Sequence, residues 1–112
     1  MWKELKLSNV QKIEKVSAEF VIWMHSILPY GKMKIRVYED QEGIFSGLTD
    51  LHVKRKFDGD FEAAVGFGKT IEEALSETIR NFNEIIEQDY PKDQYPNGLS
   101  EHHIEYTEPS DF

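Results

Sequence analysis

The sequence predicts an α+β fold of two layers, an antiparallel meander of three to four strands packed against one C-terminal amphipathic helix, followed by an irregular acidic tail. Two observations carry this. Three segments between residues 33 and 67 alternate apolar and polar side chains, and short Asp- and Gly-containing loops separate them, the pattern of hairpin-linked strands. Behind them, Thr70 and Glu73 stand at capping-box spacing. There Ile71, Ala74, Leu75, Thr78, Ile79, Phe82, Ile85 and Ile86 recur every three or four residues, one apolar stripe of a helix.

The elements follow in chain order. Within residues 4–16, Val10, Ile13 and Val16 are spaced for a short helix capped by Ser8 or Asn9. Residues 17–25, rich in β-branched and aromatic side chains, read as a strand. A loop with Pro29 and Gly31 leads to residues 33–40, where Met33, Ile35 and Val37 share one face and Lys34, Arg36 and Tyr38 the other. Gly43 closes a hairpin. Residues 44–53 keep Phe45, Gly47, Thr49, Leu51 and Val53 in phase with Leu48 out of it, which predicts a bulge near Gly47. After a second hairpin at Asp58-Gly59, Phe61, Ala63, Val65 and Phe67 are expected to point into the core. On the helix, Glu72, Glu73, Glu77, Arg80, Asn81, Glu84 and Glu87 fall opposite the apolar stripe.

With 112 residues the chain is expected to form a single α+β domain over 1–87, its core in 17–87, followed by an acidic tail or arm over 88–112. The absence of cysteine excludes a disulfide framework, a thiol nucleophile and a thiolate metal site. With no membrane-length apolar run and no signal peptide, the expected location is the cytoplasm. The net charge of −8 is uneven: residues 88–112 carry six acidic side chains and one basic, residues 1–87 fifteen and twelve. Such a balance disfavours binding driven by phosphate neutralisation and suits a basic protein partner. The tail holds three of the four prolines and no sustained period, with Tyr90, Tyr95, Ile104 and Tyr106 as its contact residues if it wraps the domain.

The run MKIRVYEDQEGIFSGLTDL, followed by VGFGKTIEEALSETIRNFNEII, is similar to the HicB antitoxin family over residues 33–87. Gly68 stands at the strand-ending glycine, and Thr70, Glu72, Glu73, Ala74 and Leu75 at the Thr-x-Glu-Glu-Ala-Leu that opens the helix. The resemblance implies a partial ribonuclease-H-like domain that inhibits a toxin by binding it and that dimerises. Two departures stand out. The Pro-Asp-Leu-Pro-Gly-like turn is replaced by Thr49-Asp50-Leu51 and a basic hairpin, and residues 88–112 are too short and acidic for an operator-binding module. Small phage proteins share this shape, so an acidic phage-encoded inhibitor of a bacterial defence nuclease is the rival reading.

Candidate residues divide accordingly. Glu73, Glu77, Glu84 and Glu87 on the helix, with Tyr90 and Tyr95 beyond it, are the expected contacts with a basic protein. Lys34, Arg36, Lys54, Arg55 and Lys56, near Tyr38 and Phe57, are the alternative, an RNA-binding patch. Lysines on exposed hairpins also serve to prevent sheet-to-sheet aggregation, and that reading is preferred. No catalytic residues, cofactor or metal are expected. Glu101-His102-His103-x-Glu105 contains ligand types, but adjacent side chains of an extended chain point apart. Of Glu39, Asp40, Asp50, Asp58 and Asp60, the acids available for a two-metal nuclease, all but Asp50 flank or lie in hairpin loops, where turn chemistry accounts for them. Gly66-x-Gly68-Lys69-Thr70 lacks the spacing of a phosphate loop. An unpaired edge strand, together with the family resemblance, predicts a homodimer.

Overall fold

Four antiparallel strands in a meander form the sheet of the computed structural model, which describes residues 1–112: β1 (Lys15–Trp23), β2 (Lys32–Glu39), β3 (Phe45–Lys54) and β4 (Phe61–Gly68), neighbours in that order. One helix, α1 (Ile71–Asp89), lies across one face, mainly over β4 and β3. A fifth strand, β5 (Ile104–Tyr106), pairs antiparallel with β3, Val53 opposite Ile104. The α+β meander agrees with the sequence reading.

The core lies between sheet and helix. Met33, Ile35 and Val37 of β2 and Leu51 and Val53 of β3 are fully buried, as their alternation predicts. From the helix, Ala74, Thr78, Phe82 and Ile86 descend onto them at four-residue spacing. Burying one such large apolar side chain contributes about 1.5–3 kcal/mol, so this seam carries much of the stability.

The phase of β4 is the reverse of the sequence expectation. Ala64 and Gly66 are buried beneath the helix, whereas Phe61, Val65 and Phe67 are exposed on the other face. The reason is clearance. A Cβ on Gly66 would lie 2.3 Å from the Thr78 backbone nitrogen, and one on Gly47 would lie 2.2 Å from Thr78 Oγ1. The helix comes so close to β3 and β4 that only small residues fit under it, and the aromatic row is turned outward.

The predicted bulge falls between Leu48 and His52, where β3 loses register with β4. Thr49 bridges the gap: its Oγ1 accepts the Ala64 N–H at 3.0 Å and donates to the Leu51 carbonyl at 2.9 Å. At the same level β2 leaves β3. Asp50 Oδ1 accepts the Lys34 N–H at 2.8 Å in place of a strand carbonyl, and β5 takes up the freed edge of β3.

The amino-terminal segment differs from expectation, and the tail takes the wrapping alternative while extending the core past residue 87. No helix forms at residues 10–16: Asn9 adopts a left-handed φ of 67°, the chain then runs without regular structure, and Val16 enters β1. The tail is an ordered arm. Leu99 and Ile104 join the core, the Leu99 N–H donates to the Ile27 carbonyl at 2.8 Å, and the Tyr106 hydroxyl donates to the Lys32 carbonyl at 2.9 Å. The change of composition at residue 88 is therefore not the end of the core.

The helix start is built as predicted. Thr70 is extended and its Oγ1 accepts the Glu73 N–H at 3.0 Å, while the Glu73 carboxylate reaches back to the Lys69 N–H at 3.4 Å. Replacing Thr70 with alanine is expected to cost about 1 kcal/mol, read as a lowered melting temperature. Unchanged melting would place the cap elsewhere.

Candidate partner-binding surface

The helix presents its acidic residues as the periodicity requires. Glu72, Glu73, Glu84 and Glu87 are exposed and in no ion pair, while Glu77 is half-buried and holds Arg80 at 2.6 Å. Asn81 points down the β4 side of α1 and donates from Nδ2 to the Val65 carbonyl at 2.7 Å. Glu72, Glu73, Ser76 and Glu77, together with Phe67 of β4, line a concavity of about 370 Å³ beside the strand edge.

Tyr90 and Tyr95 are placed differently from the helix glutamates. Tyr90 is only 4 % exposed and its hydroxyl donates to the Lys54 carbonyl at 2.6 Å, so it is a core side chain and not a surface contact. Burial pushes its phenol above the ordinary value, with Asp89 adding to the shift. Tyr95 packs edge-on against it at 5.0 Å, and both rings face the Lys56 ammonium, 5.1 and 4.3 Å from their centroids.

The basic residues do not converge. Arg36 lies opposite Leu48 on β3, and Lys54 is six residues further along the same strand, roughly 20 Å at 3.4 Å per residue. Arg55 is surrounded by Asp58, Asp60 and Glu62 at 2.8, 3.5 and 3.5 Å. Arg36 pairs with Glu19 at 2.9 Å and stacks on the Phe112 ring. Lys56 is held by Tyr95, leaving Lys34 and Lys54 without an acidic partner.

His103 completes the aromatic cluster, 4.6 Å from Tyr90 and 5.7 Å from Tyr95. The Ser100 N–H donates to its Nδ1 at 3.0 Å, an arrangement that requires that nitrogen unprotonated. Burial, with Lys56, His102 and Lys54 nearby, holds the imidazole below its ordinary 6.5. The unfolded chain therefore takes up a proton before the folded one, so stability is full above about pH 6.5 and declines as pH falls below it. Melting temperature is expected to drop more steeply from about pH 7 to about pH 5 in the wild type than in His103→Gln. Equal slopes would remove His103 from the titration.

No group of three or more His, Cys, Asp or Glu is placed to hold a metal. His52 bonds Thr107 Oγ1 at 2.7 Å, and His25 stacks on Trp23. Asp50, raised chiefly by burial and opposed by the Lys34 N–H, is the bridging carboxylate of the fold. A concavity of about 450 Å³ is the seam between α1 and the arm, with Ile27, Ile86, Tyr95 and Leu99 among its walls. No helix is long and apolar enough to cross a membrane.

Sequence reasoning missed the exposed aromatic row of β4 and the role of Asn81. A signal was present: Ala64, Gly66 and Gly68 form an alternating row of small residues, and a strand that must pass under a helix turns its small row inward. Comparison with protein-family models, curated proteins and solved structures returns no match.

Proposed function

We propose that the protein works without catalysis, by presenting the acidic outer face of α1 to a basic protein partner, in the manner of the antitoxin inhibitory domain that residues 33–87 resemble. The observation that carries this reading is the asymmetry of its charges. Of the five basic candidates, Arg36 and Arg55 are neutralised by carboxylates of the same chain and Lys56 lies against two aromatic rings, leaving only Lys34 and Lys54 unpaired on different strands. Glu72, Glu73, Glu84 and Glu87, by contrast, are exposed and in no ion pair along one helix. A partner with a cationic nucleic-acid-binding surface, whether a toxin or a defence nuclease, offers the complementary charge. The same asymmetry argues against RNA as the ligand.

The test combines capture with charge reversal. Affinity capture from the native host, followed by kinetics on the recovered protein, is expected to give a basic partner whose association slows as salt rises, since charges beyond about 8 Å are screened at 0.15 M. Glu84→Lys with Glu87→Lys, both exposed and in no ion pair, is expected to slow association about tenfold with the fold intact. An RNA retained more strongly by the reversed variant, with no protein captured, would overturn the reading.

A further inference from the structure

β4 closes the sheet on one side with no strand beyond it. The Ala64 N–H turns inward to Thr49 Oγ1, and the Val65 carbonyl is reached from outside by Asn81. Backbone groups alternate along an antiparallel strand, so Ala63, Val65 and Phe67 present their N–H and C=O groups outward. The carboxamide of Asn81 makes the bond to Val65 that an added strand's N–H would make. The opposite edge is guarded: β1 is broken by a bulge between Val16 and Ala18 and carries Lys15 and Glu19. β4 has no proline, a single charge at Glu62, and exposed Val65 and Phe67.

We infer that this edge is the docking site and that its occupant is an extended segment of the partner, alternating basic and apolar residues, added as a strand beside β4. The inference rests on the reading under Proposed function and names its mode. The two flanks of the edge differ in chemistry. On the helix side lie Glu72 and Glu73, with Glu77 already held by Arg80; on the other, Val65 joins Leu48 and Tyr38 in a groove of about 490 Å³, and Phe67 stands at the rim shared by both. A strand sends successive side chains to opposite flanks, so lysine or arginine reaches the glutamates while the apolar residues cover Val65 and Phe67. A second copy of this chain does not fit. Pairing β4 with itself about a two-fold axis brings two net-acidic helices together, and β4 carries no base to offset them.

The probe is a fluorescein-labelled octapeptide alternating lysine with valine, kept below its self-association concentration and titrated onto the full chain at low salt. Saturable binding is expected, with slowed hydrogen exchange at the Val65 and Phe67 amides. N-methylation of one alternating set of peptide amides is expected to weaken binding about tenfold, the loss of one or two net hydrogen bonds, and methylation of the other set to leave it unchanged. Phe67→Lys, at a surface position, is expected to weaken it as well, with the far-ultraviolet dichroism unaltered. If both methylated peptides bind like the parent, edge docking is overturned while the charge reading stands. An equally tight glutamate–valine peptide, or no binding by any peptide, also overturns it. So does a dimer in sedimentation that Phe67→Lys returns to monomer, because the occupant is then a second copy.

Discussion

Gly66→Ala is expected to destabilise the protein by about 3 kcal/mol or more, at the upper end of overpacking effects. The added methyl would lie 2.3 Å from the Thr78 nitrogen and 2.7 Å from the Glu77 carbonyl carbon, so the obstacle is helix backbone and no side-chain rotation relieves it. Gly47→Ala meets a different obstacle. Its nearest neighbour, at 2.2 Å, is Thr78 Oγ1, a side-chain atom. Thr78→Ala is therefore expected to rescue much of the Gly47→Ala loss but little of the Gly66→Ala loss, because removing Thr78 Oγ1, also 2.7 Å from that methyl, leaves the backbone clash in place, a difference read as coupling in a denaturant-unfolding cycle. Thr78→Ala alone forfeits the hydroxyl's bond to the Ala74 carbonyl, about 1 kcal/mol. If both glycine variants unfold like the wild type, the helix does not cross the sheet at this distance.

Tyr90→Ala is expected to cost about 3–5 kcal/mol, the range for removing a buried aromatic ring. Tyr90 ties three parts of the molecule together: it ends α1, bonds the Lys54 carbonyl at the β3 end, and packs on Tyr95 and His103 of the arm. Tyr90→Phe keeps the ring and is expected to lose only the hydroxyl bond, about 1 kcal/mol. The alanine variant is also expected to make residues 91–112 protease-sensitive, because their anchor on the helix is gone. Wild-type stability in Tyr90→Ala would return Tyr90 to the list of surface contacts.

Much of the candidate surface was legible in the linear chain. Glu73, Glu84 and Glu87 follow from the same helical period that places Phe82 inside, because the stripe that seeks the core also dictates what remains outside. The pairing of Arg55 and Lys56 within the basic hairpin was not legible. Whether Lys54, Arg55 and Lys56 form a ligand patch depends on where the Asp58, Asp60 and Glu62 carboxylates and the Tyr95 ring come to lie around them, and Tyr95 is 39 residues from Lys56.

The sequence by itself determined the fold class, the phases of β2 and β3 and the capped start of α1. Each rests on periodicity or hydrogen bonding within a few residues, which any chain carries locally. The phase of β4, the course of the arm and the open edge were decided only in three dimensions. In β4 one row is larger and more apolar and the other smaller; hydropathy favours Phe61, Val65 and Phe67 for the interior, but the distance of closest approach to Thr78 admits only Ala64 and Gly66. β5 is three residues long and has no period of its own. It is a strand because β2 leaves β3 near Thr49 and frees backbone groups that must find partners.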